Sequence, residues 1–145
     1  MGDIAKDINS SFANNKVKAL LNLMHTANWI NNKQNAFFKP FGVSPQQYNI
    51  LRILRGASKA ISVQTIKDRM IERAPNTTRL MDKMCSKKLI DRVPCPGDRR
   101  VVHIEITGDG LQLLAKIDKE VKRDLLQNLT EKEATLLSDL LDKIR

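Results

Sequence analysis

Pro94-Cys95-Pro96-Gly97-Asp98-Arg99-Arg100 lies between two apolar runs, Leu89-Ile90-Asp91-Arg92-Val93 and Val101-Val102-His103-Ile104-Glu105-Ile106-Thr107. Two prolines and a glycine within seven residues predict a turn, because proline presets φ and neither residue favours a continuing helix. In the second run Val102, Ile104 and Ile106 alternate with Val101, His103 and Glu105, the period-two pattern of a half-buried strand. The three pieces together predict a β-hairpin with two arginines at or near its tip.

Working back from the hairpin, a helix is predicted to start near Pro75 or Asn76. Thr77, Leu80, Met81 and Met84 form its apolar face, and Asn76, Arg79, Lys83 and Ser86, three or four residues apart, form the opposite one. Ser62 is placed to cap a short preceding helix that buries Val63, Ile66 and Met70. Ser44-Pro45-Gln46-Gln47 supplies a cap, a first-turn proline and a glutamine for a capping box. The helix it opens carries Tyr48, Leu51 and Leu54 on one face, widened by Ile50 and Ile53, and Gly56 is its natural stop. From Ser10 to Phe38, Val17, Leu20, Leu21, Met24, Ala27 and Ile30 recur at helical spacing and predict a long first helix. Residues 1–9 read as a frayed end, and Phe37, Phe38 and Phe41 with Pro40 and Gly42 read as an apolar loop.

Beyond the hairpin, Thr107-Gly108-Asp109-Gly110 ends the strand and opens a helix striped by Leu111, Leu114, Ala115, Ile117, Val121 and Leu125. Thr130-Glu131-Lys132-Glu133 is a second capping box, and Leu136, Leu137, Leu140, Leu141 and Ile144 line the last helix. The order is four helices, a hairpin and two helices. The predicted fold class is mainly α with a small β wing: one domain over 1–145, with a winged helix-turn-helix core at 44–107. Flanking helices at 10–38 and 108–145 carry more apolar surface than that core can cover. Pairing with a second copy would bury it, and symmetric dimers are the usual outcome.

The chain carries 25 Lys and Arg against 16 Asp and Glu, a formal net charge of +9, and its pI is about 9.8. Residues 1–60 hold eight Lys/Arg and two Asp, and 61–107 hold ten and six Asp/Glu. Residues 108–145 hold seven and eight, so the positive charge stops short of the C-terminal helices. A basic balance favours an anionic partner, nucleic acid being the commonest. Helix followed by basic hairpin suits duplex DNA: the helix enters the major groove and the hairpin reaches the backbone or minor groove.

Two cysteines, Cys85 and Cys95, form neither a disulfide framework nor a zinc spacing. No signal peptide is visible and no apolar run approaches a membrane span, so a reduced, cytoplasmic setting without membrane contact is expected. Histidines and cysteines are spread too widely for catalysis, and neither a nucleophile elbow nor a phosphate-cradling glycine loop is present. No enzyme, metal or cofactor is called for.

The residues from Ser44 to Gly110 resemble the MarR family of bacterial transcriptional regulators. The resemblance rests on Ser44-Pro45-Gln46-Gln47-Tyr48 with Leu51 and Leu54, and on Asn76-Thr77-Thr78-Arg79-Leu80-Met81-Asp82-Lys83-Met84. It is completed by Leu89-Ile90-Asp91-Arg92, Asp98-Arg99-Arg100 and Ile106-Thr107-Gly108-Asp109-Gly110. It implies a homodimer with intertwined terminal helices, a wing arginine in the minor groove and the fourth helix in the major groove of a palindromic operator. It also implies a repressor released by a small phenolic or other lipophilic ligand. Relatives that sense oxidants carry their cysteine in the first helix, where this chain has none. The family usually has glycine at the position of Lys88; lysine adopts positive φ only at a cost, which predicts a different ending for the recognition helix.

On this reading Arg99 and Arg100 contact phosphates or a narrow minor groove, and Asp98 either orients an arginine or serves the turn. Asn76, Thr78, Arg79 and Lys83 face the major groove, where Arg79 is suited to guanine. Thr77 fits either the groove or the core. Ser62, Gln64 and Thr65 are candidate phosphate contacts, with Lys83, Lys87 and Arg73 weaker ones, since a charge run is usually a solvated face. His25, Trp29 and Tyr48 either line a ligand pocket or are plain core and surface residues. The competing reading is a winged-helix protein that acts mainly through protein or small-molecule binding, with reduced DNA affinity; its motive is Lys88.

Overall fold

The computed structural model describes residues 2–73, 75–121 and 125–145. They fall into two compact units, one ending at Leu114 and one starting at Ala115. The first contains α1 (Ile4–Asp7), α2 (Asn15–Phe38), a 3-10 turn (Lys39–Phe41), α3 (Pro45–Ala57), β1 (Ile61–Ser62) and α4 (Val63–Arg69). It continues with α5 (Thr77–Ser86), β2 (Ile90–Cys95), β3 (Asp98–Ile106) and the first half of α6 (Gly108–Glu120). The second contains the rest of α6 and α7 (Glu131–Ile144). The described chain is mostly helical with one small antiparallel sheet, as the pattern of the sequence predicts.

The predicted starts hold where a side chain can cap. Ser44 Oγ accepts the Gln47 N–H at 3.1 Å and Gln47 Oε1 accepts the Ser44 N–H at 3.0 Å. Thr130 and Glu133 do the same for α7, and the carboxyl of Glu133 lies below its usual range because it accepts the N–H and hydroxyl of Thr130. The first long helix begins at Asn15 rather than Ser10, because the Asn14 side chain accepts the Val17 N–H at 3.0 Å. Residues 1–9, read as frayed, include α1, which is capped by Asp3 and buries Ile4. Gly56 is not the stop of α3; Ser58 takes the left-handed turn at φ 56° and Gly56 stays helical. The stripe predicted to reach Leu125 leaves the helix at Glu120, with Val121 half exposed; residues 122–124 of that prediction lie outside the described residues.

The sheet order is β1-β3-β2. β2 and β3 pair antiparallel with Ile90 opposite Ile106 and Arg92 opposite Ile104, and the register shifts between Pro94 and Cys95. β1 places Ile61 opposite Ile104. The sequence does not reveal it, because two residues carry no period and Ser62 doubles as the cap of α4. The alternation in β3 keeps Ile104 buried but fades toward the tip, where Val102 is as exposed as Val101. Ile50, Leu51 and Leu54 of α3, Ile66 of α4, Met81 and Met84 of α5, Ile90 and Ile104 are all at most 1% exposed. Full burial of such side chains stabilises by about 1.5–3 kcal/mol each, which makes this layer the platform under α5 and the hairpin.

One backbone joint connects α5, the sheet and α6. Lys88 takes φ 59°, its N–H donates to the Cys85 carbonyl at 2.9 Å, and the Leu89 N–H donates to the Met84 carbonyl at 3.0 Å. These two bonds make a Schellman ending, so lysine here closes the helix as glycine would, and the different ending predicted from Lys88 does not occur. A left-handed non-glycine residue costs about 1–2 kcal/mol, and its surroundings offset that. Leu89 and Ile90 are buried behind it. The Thr107 hydroxyl donates to the Lys88 carbonyl at 2.6 Å and accepts the Gly110 N–H at 3.1 Å, while the Thr107 N–H donates to the Leu89 carbonyl at 3.1 Å. Gly110 lies so close that a Cβ there would stand 2.3 Å from the Leu89 oxygen and 2.7 Å from Ile106 Cγ1.

Two glycine substitutions therefore have opposite outcomes in urea denaturation. Gly110→Ala must push the joint apart and is expected to lose about 1–3 kcal/mol or more. Gly56→Ala meets nothing within 4 Å in a helix and is expected to gain about 0.5–1 kcal/mol. Equal effects of the two would contradict the joint.

Candidate nucleic-acid interface

The exposed face of α5 carries Thr78, Arg79 and Lys83, with Asn76 exposed at the helix start, where its side chain makes no capping bond. Thr77 does not join them. It is 0% exposed, with Oγ1 3.8 Å from Met70 Sδ, so of its two expected places the core is the one observed, and a groove contact is sterically closed to it. Ser86 folds its hydroxyl back onto the Asp82 carbonyl at 3.0 Å.

Asp82 is the one carboxylate of α5, and Arg92 of β2 pairs with it. Both side chains are about half exposed, so the pair adds at most about 1 kcal/mol to stability. Its larger effect is on the field: the carboxylate beside Arg79 and Lys83 is neutralised by the adjoining strand. The sequence reading missed this role of Arg92; the signal is an acid on an otherwise basic helix face, followed ten residues later by an arginine on a strand.

At the other end of the hairpin, Pro96-Gly97 makes a two-residue loop between β2 and β3. Arg99 and Arg100 follow it, both exposed, and among the described residues neither pairs with a carboxylate. Asp98 Oδ1 accepts the Arg100 backbone N–H at 2.9 Å. Asp98 is thus a turn residue that fixes the arginine through its main chain, not by a side-chain pair. Cys95 is half-buried on β2. The Cys85 thiol is pushed up, chiefly by burial, with Arg92 opposing and Asp82 and Asp91 adding to the rise.

On α4, Ser62 Oγ accepts the Thr65 N–H at 3.1 Å and shares a 2.9 Å hydrogen bond with the Thr65 hydroxyl. Gln64 Nε2 donates to Asp68 Oδ1 at 2.9 Å. All three are therefore engaged locally at the helix start. Gln64, Lys67, Asp68, Arg73, Pro75 and Thr77 line a hollow of about 350 Å³ between α4 and α5. Lys67, one turn after Gln64, is a basic neighbour that the sequence reading passed over.

His25, Trp29 and Tyr48 line neither the hollow at Gln64 and Arg73 nor the one at Leu54 and Leu111. His25 is exposed, and Trp29 is 43% exposed with the Lys33 ammonium 5.8 Å from its ring centroid. Tyr48 packs against Phe38 at 4.5 Å and accepts a hydrogen bond from Arg52 at 3.1 Å. Within the single chain Tyr48 packs on Phe38, and the other two face solvent. A separate hollow of about 320 Å³ is lined by Leu54, Arg55, Ser58, Lys59, Glu105, Ile106 and Leu111.

Comparison with known proteins agrees with this architecture. The MarR family model matches residues 43–102. The HTH-type transcriptional regulator PecS of Dickeya dadantii is 31% identical over 112 residues, 74% of this chain and 68% of that protein. The multiple antibiotic resistance protein MarR of Salmonella typhimurium is 30% identical over 114 residues, 76% of this chain and 78% of that protein. Among solved structures, a mutant MarR from Escherichia coli complexed with operator DNA superposes with a TM-score of 0.77 at 28% identity, covering 92% of this chain and 99% of that one. A MarR transcription factor from Planctomyces limnophilus is 31% identical with a TM-score of 0.69, covering 92% and 98%. The chain belongs to the MarR family and is a transcriptional regulator, not an enzyme.

Proposed function

We propose that this chain works as a homodimer that binds a palindromic operator in double-stranded DNA and represses transcription until a small lipophilic or phenolic ligand releases it. The observation that carries the reading is the joint presentation of Arg79 and Lys83 on α5 and of Arg99 and Arg100 on the hairpin, with the nearby Asp82 neutralised. A helix face set beside an arginine-bearing hairpin is the arrangement that reads both grooves. Asn76, Thr78, Arg79 and Lys83 are assigned to the major groove. Arg99 and Arg100 are assigned to the minor groove or backbone, with Asp98 shaping the turn. Ser62, Gln64 and Thr65 are assigned to phosphate at the start of α4, through the surface left after their local hydrogen bonds. Similarity to a relative bound to operator DNA supports this.

The dimer is argued from uncovered apolar surface. On α2, Leu20 and Met24 are 57% and 61% exposed; on α7 no residue is buried, and Leu136, Leu140 and Ile144 are at least half exposed. Helices at 10–38 and 108–145 are assigned to pairing and 44–107 to DNA, within a single 145-residue domain acting in the cytoplasm. For the effector, the hollow with Leu54, Ile106 and Leu111 offers an apolar floor, with Arg55 and Lys59 set against the one carboxylate of Glu105, a balance that suits an aromatic anion. The competing reading, a winged-helix protein with reduced DNA affinity, loses its motive because Lys88 closes α5 in the usual way.

Fluorescence anisotropy with a duplex from upstream of the protein's own gene checks the DNA assignment. Arg79→Ala and Arg100→Ala are each expected to weaken binding by about 1–3 kcal/mol, with Arg79→Ala relaxing sequence preference. Affinity is expected to fall linearly in log–log form with salt as counterions are released. Binding that ignores both substitutions and salt would sink the assignment. Sedimentation equilibrium checks the dimer: the protein is expected at twice its chain mass, and a Leu136→Asp, Leu140→Asp double variant at one chain mass. A monomer without substitution would contradict it.

A further inference from the structure

We propose that Lys87 and Thr107 are positioning residues for DNA reading. From two sides they clasp the last turn of α5, so that the approach of the recognition helix to the groove is set by the segments that end α2 and begin α6. The inference rests on the DNA-binding reading above and adds to it the place where the flanking helices hold the reading helix.

Both contacts fall on adjacent residues. The Lys87 ammonium donates to the Gly42 carbonyl. Gly42 follows directly on the 3-10 turn that ends α2, takes φ 69° and donates its N–H to Lys39 at 3.1 Å. That carbonyl is held in place, since Phe41 packs on Phe37 and Val43 is buried. On the other side the Lys88 carbonyl receives the Thr107 hydroxyl, and Thr107 is tied to Leu89 and to Gly110 at the start of α6. The Thr107 hydroxyl meets a carbonyl at the negative end of the α5 dipole, while the Lys87 side chain carries its cation from that end across to Gly42.

At the opposite end of α5 Thr77 anchors the first turn in the core, without a side-chain cap from Asn76, and Arg79 projects from that end. A helix of ten residues is roughly 15 Å long, so a tilt of about 5° at the clasp moves its far end by roughly 1 Å. Such a shift is enough to spoil a hydrogen bond to a base edge while leaving phosphate contacts in reach. Loss of the clasp should therefore lower discrimination between sequences more than it lowers general affinity for DNA.

The test uses the full chain in four forms: unaltered, Thr107→Val, Thr107→Ser and Lys87→Met. Valine keeps the shape and loses the hydroxyl, serine keeps the hydroxyl, and methionine keeps the stem and loses the ammonium. Two quantities are read: the ratio of affinities for the upstream duplex and a scrambled duplex, and the orientation of α5 relative to α3 from amide residual dipolar couplings. Thr107→Val and Lys87→Met are expected to lower the ratio about tenfold, the order of one base contact, and to shift the α5 couplings. Scrambled-duplex affinity of the Thr107→Val variant, which keeps every charge, should stay within about twofold, and Thr107→Ser should keep both the ratio and the couplings. An unchanged ratio in both variants overturns the proposal, as does a serine variant as impaired as the valine one. If Thr107→Val does not fold, Lys87→Met on the surface carries the same test. If the unaltered protein does not discriminate between the duplexes, the DNA reading fails on its own, and the couplings alone decide the clasp: an unmoved α5 overturns it.

Discussion

The carbonyl oxygen of Leu89 lies where three segments converge. It accepts the N–H of Thr107 at the end of β3, and Gly110 at the start of α6 passes so close that a Cβ there would stand 2.3 Å away. Immediately before it Lys88 turns left-handed to end α5, and the Thr107 hydroxyl fastens the Lys88 carbonyl. Helix, hairpin and flanking helix are thereby fixed to one another over a few residues. This constraint gives the rest of the site its meaning. Arg79 and the hairpin arginines lie on separate elements, and they can address one duplex as a unit only if those elements keep a fixed relation.

Charge follows the same division. The hairpin and α5 carry exposed cations, and the one carboxylate of α5, Asp82, is paired by Arg92, while residues 108–145 hold slightly more acid than base. A surface ion pair of that exposure does little for stability, but an unpaired carboxylate on the same face would repel phosphate. The apolar surface left open on α2 and α7 is of the kind that oligomerisation covers, and it lies on helices to which no base contact is assigned. Family membership, the separation of basic from apolar surface and the fixed joint all agree with one division of labour.

What was legible in the sequence was whatever local chemistry determines. Ser44 with Gln47 and Thr130 with Glu133 announced two helix starts, and the strands were readable because Ile104 and Ile106 alternate over several residues. What was not legible depended on distant partners. Thr77 has the composition of a groove residue and the position of a core residue, and only packing against Met70 separates the two. Lys88 looked like a defect because its offsetting contact comes from Thr107, nineteen residues away. The packing of Tyr48 on Phe38 was not legible either, because the two rings lie on different helices. β1 escaped because two residues carry no periodic signal, and Gly56 misled because Ser58 accepts the left-handed turn instead.

The most direct measurement is a hydroxyl-radical footprint of the protein on the duplex upstream of its own gene. If α5 and the hairpin read DNA as one fixed body in each of two subunits, protection should appear in two symmetric patches about one helical turn, or a multiple of it, apart. Each patch should hold a major-groove stretch flanked by a minor-groove stretch in constant register, and removal of Arg99 and Arg100 together should erase only the minor-groove part. A single unsymmetric patch, or an identical footprint without those two arginines, would contradict the account.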